Sequence, residues 1–185
     1  MATAGARRSV QRGTIRPLEP ADRPRLADLL RASWGSTRMV SRGRLIDIVD
    51  LPGFWAVRDG EWLGHASYDI RTDALEIALL ESIVPGVGAG GALVAACVGV
   101  AQARGLGRVW LVTTNDNTNA LRFYQRRGFR LTALHPDAIT RARESLKPEI
   151  GLIGDSGIPI RDELELDLPP TEWQGLVERD GWPSS

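Results

Sequence analysis

Short apolar segments separated by Gly, Pro and Asp make up the first half of the chain. An apolar stripe at helical spacing after Asp22 predicts one helix there. The Asp59-Gly60 pair between two β-prone segments is a strong hairpin signal. Residues 33–50 are rich in Arg and fit neither pattern clearly. Strands are predicted over residues 14–18, 53–58, 62–70 and 75–84.

Helical and strand patterns alternate in the second half of the chain. Gly128 is predicted to cap the C-terminal end of one helix. The order of elements mixes hairpins with strand–helix–strand crossovers, which requires both parallel and antiparallel pairs in one sheet. We therefore predict an α/β (α+β) fold with a mixed, mostly antiparallel, twisted sheet of about seven strands flanked by helices. The helices are predicted over 92–104, 119–127 and, in an irregular stretch, 137–146, and the strands over 108–114, 129–134 and 158–168.

Length and composition indicate one domain with an extension at each end. The chain has 185 residues, 43% of them hydrophobic, which is enough for a single ordinary core. Residues 1–13 carry no pattern and are predicted to be a disordered basic tail. The domain is predicted to span residues 14–170, with a C-terminal tail over 171–185. The 23 basic and 23 acidic residues balance, which excludes a basic surface over the whole protein for binding nucleic acid.

Few side chains in this sequence suit disulfide or metal chemistry. One Cys excludes a disulfide framework and a Cys-rich zinc site, and two His argue against a metal centre built by the protein. The longest apolar stretch, near residues 89–103, is interrupted by glycine and falls short of the ~20 residues of a membrane span. The N-terminal residues also lack the apolar run of a signal peptide. We therefore expect a cytoplasmic protein without a metal or a membrane partner.

The clearest chemical signal is the group of glycines within residues 86–91, between a predicted strand and a predicted helix. Glycines let the backbone turn tightly with its N–H groups uncovered, and the following helix adds the positive end of its dipole. Such a turn suits a phosphate or pyrophosphate; a purely structural connection is the alternative. No Gly-Lys-Ser/Thr follows, so the turn is not a P-loop, and its place after several strands argues against a Rossmann unit.

A second pattern follows the predicted strand at residues 108–114. It reads Asn-x-x-Ala-x-x-x-Tyr-x-x-x-Gly-Phe and runs from Asn117 to Phe129. Together with the glycine turn, this pattern resembles the GCN5-related N-acetyltransferase (GNAT) family over about residues 14–168. The resemblance implies the GNAT fold, acetyl-CoA as cosubstrate and transfer of its acetyl group to an amine.

The resemblance also implies roles for individual residues. Tyr124 would lie near the sulfur and donate a proton to the departing thiolate, and Asn117 would contact the pantetheine arm. Pro85 stands where the family usually has Gln or Arg, so pyrophosphate binding would depend on backbone N–H groups. The strand end that would pair with pantetheine is Ser82, Ile83 and Val84, and the N–H groups for the pyrophosphate belong to Gly86, Val87, Gly88, Ala89, Gly90 and Gly91.

An amine is mostly protonated at physiological pH, so a base or a water relay must remove a proton before the amine attacks a thioester. Glu76 and Glu81, on the strand before the glycine turn, are the candidates, and some members of the family carry a catalytic Glu where Glu76 falls. In a regular strand these two residues face opposite ways. Only a bulge, which is common in this strand of the family, would turn both toward one cleft. Each can also be an ordinary solvent-facing carboxylate.

Cys97 lies in an apolar helix and is a poor nucleophile, which favours direct attack in a ternary complex over a covalent enzyme intermediate. The expected acceptor is a primary amine on a small molecule. A peptide or protein acceptor and a non-catalytic acyl-CoA-binding module are the alternatives. The insertion at residues 135–157 is predicted to cover the amine pocket, to form a surface helix or to act as the arm of a homodimer. Its basic side chains are His135, Arg141, Arg143 and Lys147.

Overall fold

The computed structural model describes residues 13–154 and 157–183. Residues 1–12, most of the predicted basic tail at 1–13, lie outside the described part. Within it the strands are β1 (Thr14–Pro17), β2 (Arg38–Ser41), β3 (Arg44–Asp47), β4 (Gly53–Arg58), β5 (Glu61–Arg71), β6 (Ala74–Ser82), β7 (Arg108–Thr114), β8 (Arg130–His135) and β9 (Glu163–Leu168). The helices are α1 (Arg23–Trp34), α2 (Ala89–Ala103), α3 (Thr118–Gln125), α4 (Ala138–Ser145) and α5 (Pro170–Asp180).

Seven of these strands form one sheet in the order β1-β4-β5-β6-β7-β9-β8, and β2 and β3 form a separate hairpin. The predicted mixed, mostly antiparallel fold is confirmed, since β6 and β7 pair in parallel and the other described pairs are antiparallel. The parallel pairing covers residues 74–76 of β6 and 108–110 of β7. Beyond these residues, β6 and β7 do not pair with each other. The sheet is therefore split, and a cleft opens between β6 and β7 toward their C-terminal ends.

Each face of the sheet carries its own hydrophobic core. On one face, α2, α3 and α5 pack around fully buried side chains such as Leu93, Leu111 and Leu166. On the other face, α1 and the β2–β3 hairpin bury a smaller core around Trp55 and Leu79. The cleft between β6 and β7 therefore lies between two packed layers, which give its walls a rigid support.

The C-terminal segment differs from the predicted tail at 171–185. Residues 170–180 form α5, in which Trp173 and Leu176 are 5% and 1% exposed. The Trp173 indole N–H donates to the carbonyl of Leu168 at 3.0 Å, which fixes the start of α5 against the end of β9. The apolar spacing of Trp173, Leu176 and Val177 is that of an amphipathic helix, and it is this stripe that holds the segment on the core.

The N-terminal and C-terminal segments of the described chain meet beside α2. Gly13, which falls in the predicted tail, is buried, and a Cβ there would lie 2.6 Å from the Trp182 ring. The Ile15 N–H donates to the carbonyl of Pro183 at 2.8 Å. The described domain therefore continues past residue 170 through residue 183.

His65 is a fully buried titratable group in the sheet. Its Nε2 lies 3.0 Å from Ser67 Oγ, and its ring centroid lies 4.8 Å from that of Trp55. Burial disfavours the charged imidazolium and lowers the pKa of His65 from 6.5 to about 3. The folded protein therefore holds this ring neutral over a range in which the unfolded chain would protonate it.

We expect His65 to make the protein less stable in mild acid. The unfolded chain binds the proton first, so stability present above pH 6.5 is lost as the pH falls toward 3. Between these two pH values, the contribution of His65 should lower the free energy of unfolding by about 1.4 kcal/mol for each unit by which the pH falls. Urea unfolding from about pH 7 to about pH 4 should show a shallower pH dependence for His65→Gln than for the wild type. Equal slopes for the two proteins would contradict the prediction, whatever constant offset the substitution causes.

Candidate active site

A bulge in β6 brings the two candidate bases to one face of the sheet. Ser67 of β5 is opposite Leu79, whereas the next residue, Tyr68, is opposite Ile77, so Ala78 is an extra residue in β6. Beyond the bulge, each side chain of β6 therefore points to the opposite face of the sheet from the one it would face in a regular strand. Glu76 and Glu81 consequently lie on the face that carries α1 and the β2–β3 hairpin, as the sequence argument required for both to reach one cleft.

Glu76 is held in a buried network. Ser41 Oγ donates to one of its carboxylate oxygens and Arg44 Nη2 donates to the other, and the residue is 3% exposed. Arg44 also lies 3.3 Å from Asp69. With both oxygens engaged by the hairpin, Glu76 anchors the hairpin to the sheet.

Glu81 lies near the open end of the cleft, where β6 approaches the glycine turn. Its Oε2 accepts a hydrogen bond from the Trp34 indole N–H at 3.3 Å, and its side chain is half-buried. Trp34 itself is 43% exposed, at the end of α1. Of the two candidate bases, Glu81 is therefore the one with an oxygen available to a ligand or to water.

The glycine turn places N–H groups without a hydrogen-bond partner in the described residues at the start of α2. Gly88 has φ +88° and is the N-cap of α2, a conformation that a residue with a side chain rarely adopts. The N–H groups of residues 86–91 make no hydrogen bond to another residue in the described part of the chain. These donors and the helix dipole form a site suited to a pyrophosphate.

The next two glycines allow α3 to pack tightly against the first turn of α2. A Cβ on Gly90 would lie 3.2 Å from the Phe123 ring, and one on Gly91 would lie 3.0 Å from Arg127 Nη2 and from Asp180 Oδ2. The absence of side chains here brings α3 and the end of α5 beside the turn. The predicted donors Gly90 and Gly91 therefore also have a packing role.

The strand end predicted to pair with pantetheine is only partly available. The N–H groups of Ile83 and Val84 both donate to the carbonyl of Leu63, at 3.0 and 3.1 Å. Ser82, Ile83 and Val84 are exposed. Pairing through Ile83 and Val84 would therefore have to use their carbonyl oxygens rather than their N–H groups.

The two polar residues of the second motif lie on α3. Asn117 is the N-cap of this helix, and its Oδ1 accepts from the Ala120 N–H at 3.1 Å. Tyr124 is 7% exposed and packs edge-on against Phe123 and Phe129. Burial raises the pKa of the Tyr124 phenol, so it stays protonated at physiological pH, as a proton donor must. Burial also raises the pKa of Cys97 to about 12, which makes it a poor nucleophile.

The tip of the β2–β3 hairpin joins the two halves of the split sheet. On the β6 side it holds Glu76; on the other side, the Arg42 N–H donates to Glu163 of β9 at 3.0 Å, and Arg42 Nε lies 3.4 Å from Glu165. Burial raises the pKa of Glu163. Sequence reasoning missed both glutamates of β9, because their side-chain partners lie at least 30 positions away along the chain and no local pattern marks them.

The insertion after β8 forms α4 and packs on this hairpin. Lys147 is 6% exposed and donates to the carbonyl of Arg38 at 2.6 Å. Arg143 donates to three backbone carbonyls within residues 150–160. These two cations therefore hold the insertion in place. His135 and Arg141, with Arg42 and Glu163, line a cavity of about 440 Å³ between α4 and the hairpin.

No helix among residues 13–154 and 157–183 is long and apolar enough to cross a membrane. In the same residues, no three His, Cys, Asp or Glu side chains are grouped so as to hold a metal ion.

The split sheet, the bulged strand and the glycine turn at a helix start together define an acyltransferase of the GNAT class. A sequence profile described as "Acetyltransferase (GNAT) family" matches residues 23–129. The chain belongs to this family, and the resemblance found in the sequence is confirmed.

Two uncharacterized proteins of Bacillus subtilis (strain 168) are similar to this chain. YxbD is 40% identical over 134 residues, which cover 72% of this chain and 84% of YxbD. YdhI is 39% identical over 140 residues, which cover 75% of this chain and 87% of YdhI.

Solved acetyltransferases share the fold. A Bacillus subtilis acetyltransferase in complex with CoA superposes with a TM-score of 0.68 at 25% identity, over 85% of this chain and 98% of that one. A GNAT acetyltransferase from Elizabethkingia anophelis with acetyl-CoA bound has a TM-score of 0.59 at 20% identity, over 84% of this chain and 97% of that one. Both support the predicted architecture.

Proposed function

We propose that this protein transfers the acetyl group of acetyl-CoA to the primary amine of a small molecule, by direct attack in a ternary complex. The observation that carries the proposal is the cleft between β6 and β7, whose β6 side ends in a turn with N–H groups that have no partner among the described residues. A coenzyme with a pyrophosphate and an extended amide-bearing arm fits this combination. The solved Bacillus subtilis relative in complex with CoA supports the same cosubstrate.

The assigned roles follow from the availability of each group. Acetyl-CoA supplies the activated acetyl group. Glu81 accepts a proton from the acceptor amine, directly or through water, and the new N–C bond forms as the C–S bond breaks. Tyr124 gives its phenolic proton to the sulfur, so that the thiol leaves neutral, and then regains a proton from solvent. Asn117 and the strand end at 82–84 orient the arm, and the turn at 86–91 holds the pyrophosphate.

The shape of the acceptor side favours a small molecule over a protein. The cavity of about 440 Å³ is bounded by the hairpin tip and by α4. Both elements are anchored by buried charges, Glu163 beneath the hairpin and Lys147 beneath the insertion. A small amine fits a cavity of this volume, whereas a protein substrate would need a groove wide enough to admit a segment of polypeptide.

The proposal is tested with purified protein, acetyl-CoA and a panel of amines. The panel contains polyamines, amino acids, aminosugars and arylalkylamines, together with peptides that carry a free N-terminus or a Lys. We expect amine-dependent release of thiol, and a product heavier by one acetyl group, with at least one small amine. Turnover with the peptides alone would overturn the choice of acceptor. Binding of acetyl-CoA without turnover of any amine would favour the non-catalytic module.

A matched pair of substitutions in the same assay tests the base. Glu81→Gln should lower kcat by about 10²-fold. Glu76→Gln should lower kcat much less, because both oxygens of Glu76 already accept hydrogen bonds from the hairpin. A loss of kcat of about 10²-fold in Glu76→Gln, with a nearly unchanged kcat in Glu81→Gln, would reverse the assignment.

A further inference from the structure

The cavity between α4 and the β2–β3 hairpin is lined by charged side chains from several elements. Its volume is about 440 Å³, which suits a small molecule. The charged and titratable groups of its lining are Arg42, His135, Arg141 and Glu163. A ligand in this cavity would interact most strongly with the charges that have no partner within the protein.

Arg42 and His135 already have partners on β9. Arg42 Nε lies 3.4 Å and His135 Nε2 lies 2.9 Å from the same atom, Oε2 of Glu165. The other oxygen of Glu165 accepts a hydrogen bond from Arg108, which also pairs with Asp167. Two carboxylates therefore compensate two guanidinium groups here. Neither Arg42 nor His135 requires a ligand to balance its charge.

Glu163 and Arg141 are the two lining charges without an ion-pair partner among the described residues. Glu163 is 1% exposed, and its carboxylate accepts a hydrogen bond from the backbone N–H of Arg42. Burial raises the pKa of the Glu163 carboxyl, an effect that a cation in the cavity would oppose. Arg141 is exposed on α4, and its guanidinium makes no hydrogen bond to the described part of the chain. One cavity thus presents a buried acidic group from β9 and a cation from α4, and neither is paired.

Glu163 lies at the open end of the cleft between β6 and β7. It is opposite Thr114, the last residue of β7, whereas the pairing of β7 with β6 ends at Trp110. Glu81 lies near the same end on β6. An amino group bound to Glu163 would therefore be at the opening of the cleft in which the proposed cosubstrate would place its acetyl group.

We propose that the acceptor is an amino acid, whose carboxylate binds Arg141 and whose amino group binds Glu163 before Glu81 removes a proton from it. The inference rests on the proposed function for the acetylation of that amino group. An amino acid carries both charges in one small molecule, so it can compensate both unpaired side chains at once. Arg is suited to a carboxylate because its guanidinium donates two parallel hydrogen bonds. A polyamine has no group for Arg141 and would be repelled by it.

Acetylation would remove the charge by which the amino group is held. The ammonium gives up two protons, the first through Glu81. One of them is balanced by the proton that the CoA sulfur gains through Tyr124, and the other is released to solvent. The N–C bond forms as the C–S bond breaks, and the product has a neutral amide beside Glu163. The product therefore keeps its attraction to Arg141 and loses the attraction to Glu163, which favours its release.

The test measures the binding of three sets of matched probes by calorimetric titration of the full chain in the presence of CoA. The probes are the common L-amino acids, their carboxamides, which lack the carboxylate, and their N-acetyl derivatives, which lack the ammonium. At least one amino acid should bind about tenfold more tightly than either of its two derivatives.

Two variants should separate the two charges. Arg141→Ala should weaken the binding of that amino acid and of its N-acetyl derivative by about tenfold and leave the carboxamide within about twofold. Glu163→Gln keeps an oxygen for the Arg42 N–H, and it should weaken the amino acid and the carboxamide but not the N-acetyl derivative. A merely structural role would weaken all three probes alike. Arg104→Ala is the control, since it removes an exposed arginine outside this cavity.

Amino acids that bind no better than their carboxamides, in a protein that acetylates other small amines, would overturn this inference and leave the proposed function intact. Equal weakening of all three probes by both variants would also overturn the inference. The expected pattern of binding in a protein that acetylates no amine would support the pocket and overturn the proposed function.

Discussion

Replacing Tyr124 with Phe is expected to lower kcat for acetyl transfer by about 10²-fold or more. The ring would keep its edge-on contacts with Phe123 and Phe129, so the fold and the cofactor site should be preserved. The proton for the departing sulfur would be lost. Stopped assays of turnover and titrations with acetyl-CoA should therefore show a large loss of kcat with a Kd changed by less than about twofold.

The chain offers a close control for this substitution. Tyr68 is the other of its two tyrosines, is also 7% exposed, and stacks on Phe54 in the same core. Its phenol lies within electrostatic reach of Arg104, which follows the C-terminal end of α2, the end away from the glycine turn. Tyr68→Phe should leave kcat within about twofold. Turnover of Tyr124→Phe equal to that of Tyr68→Phe would remove Tyr124 from the mechanism.

Replacing Trp173 with Ala is expected to cost about 3–5 kcal/mol of the free energy of unfolding. The side chain is 5% exposed, packs between α5 and the sheet, and donates a hydrogen bond to the carbonyl of Leu168. A domain of this size is typically stable by only about 5–15 kcal/mol, so the variant should unfold at much lower urea concentration. Urea unfolding followed by circular dichroism would measure the loss.

Trp34→Ala removes an indole of the same size from the surface. Because Trp34 is 43% exposed, we expect that substitution to change the free energy of unfolding by less than about 1 kcal/mol. If Trp173→Ala were as mild as Trp34→Ala, α5 would be a loosely attached tail rather than a packed part of the core.

The elements of the central sheet were the most predictable part of the fold. Residues 53–58 and 108–114 form strands with the predicted bounds, because continuous β-branched or aromatic runs end there at turn residues. The glycine turn and the motif from Asn117 to Phe129 were equally predictable from the sequence, since each combines local conformation with a fixed spacing. The bulge was predicted only as a requirement, because its place depends on how β5 pairs with β6.

Other features depend on contacts that no local pattern records. The β2–β3 hairpin arises in a segment rich in Arg and Gly, and buried carboxylates from β6 and β9 hold it. The predicted final strand at 158–168 begins only at residue 163, since the residues before it belong to the insertion. α5 did have a local signal in Trp173 and Leu176, but its place at the end of the chain favoured the reading as a tail. Ser41 and Arg44 of the hairpin bind both carboxylate oxygens of Glu76 and leave Glu81 as the available base. The sequence of β6 alone does not show this difference.

The split in the sheet also bears on aggregation. Beyond residue 76, β6 has no strand partner on its β7 side in the described part of the chain, and an unpaired strand edge is a template for pairing with another protein. Here the edge lies inside a cleft whose walls are two packed layers, so a neighbouring molecule's sheet cannot align with it. A single extended arm carrying amides can. Many proteins protect an unpaired strand edge with charged side chains or proline. In this fold the packed layers on both sides of the cleft protect the edge of β6 instead.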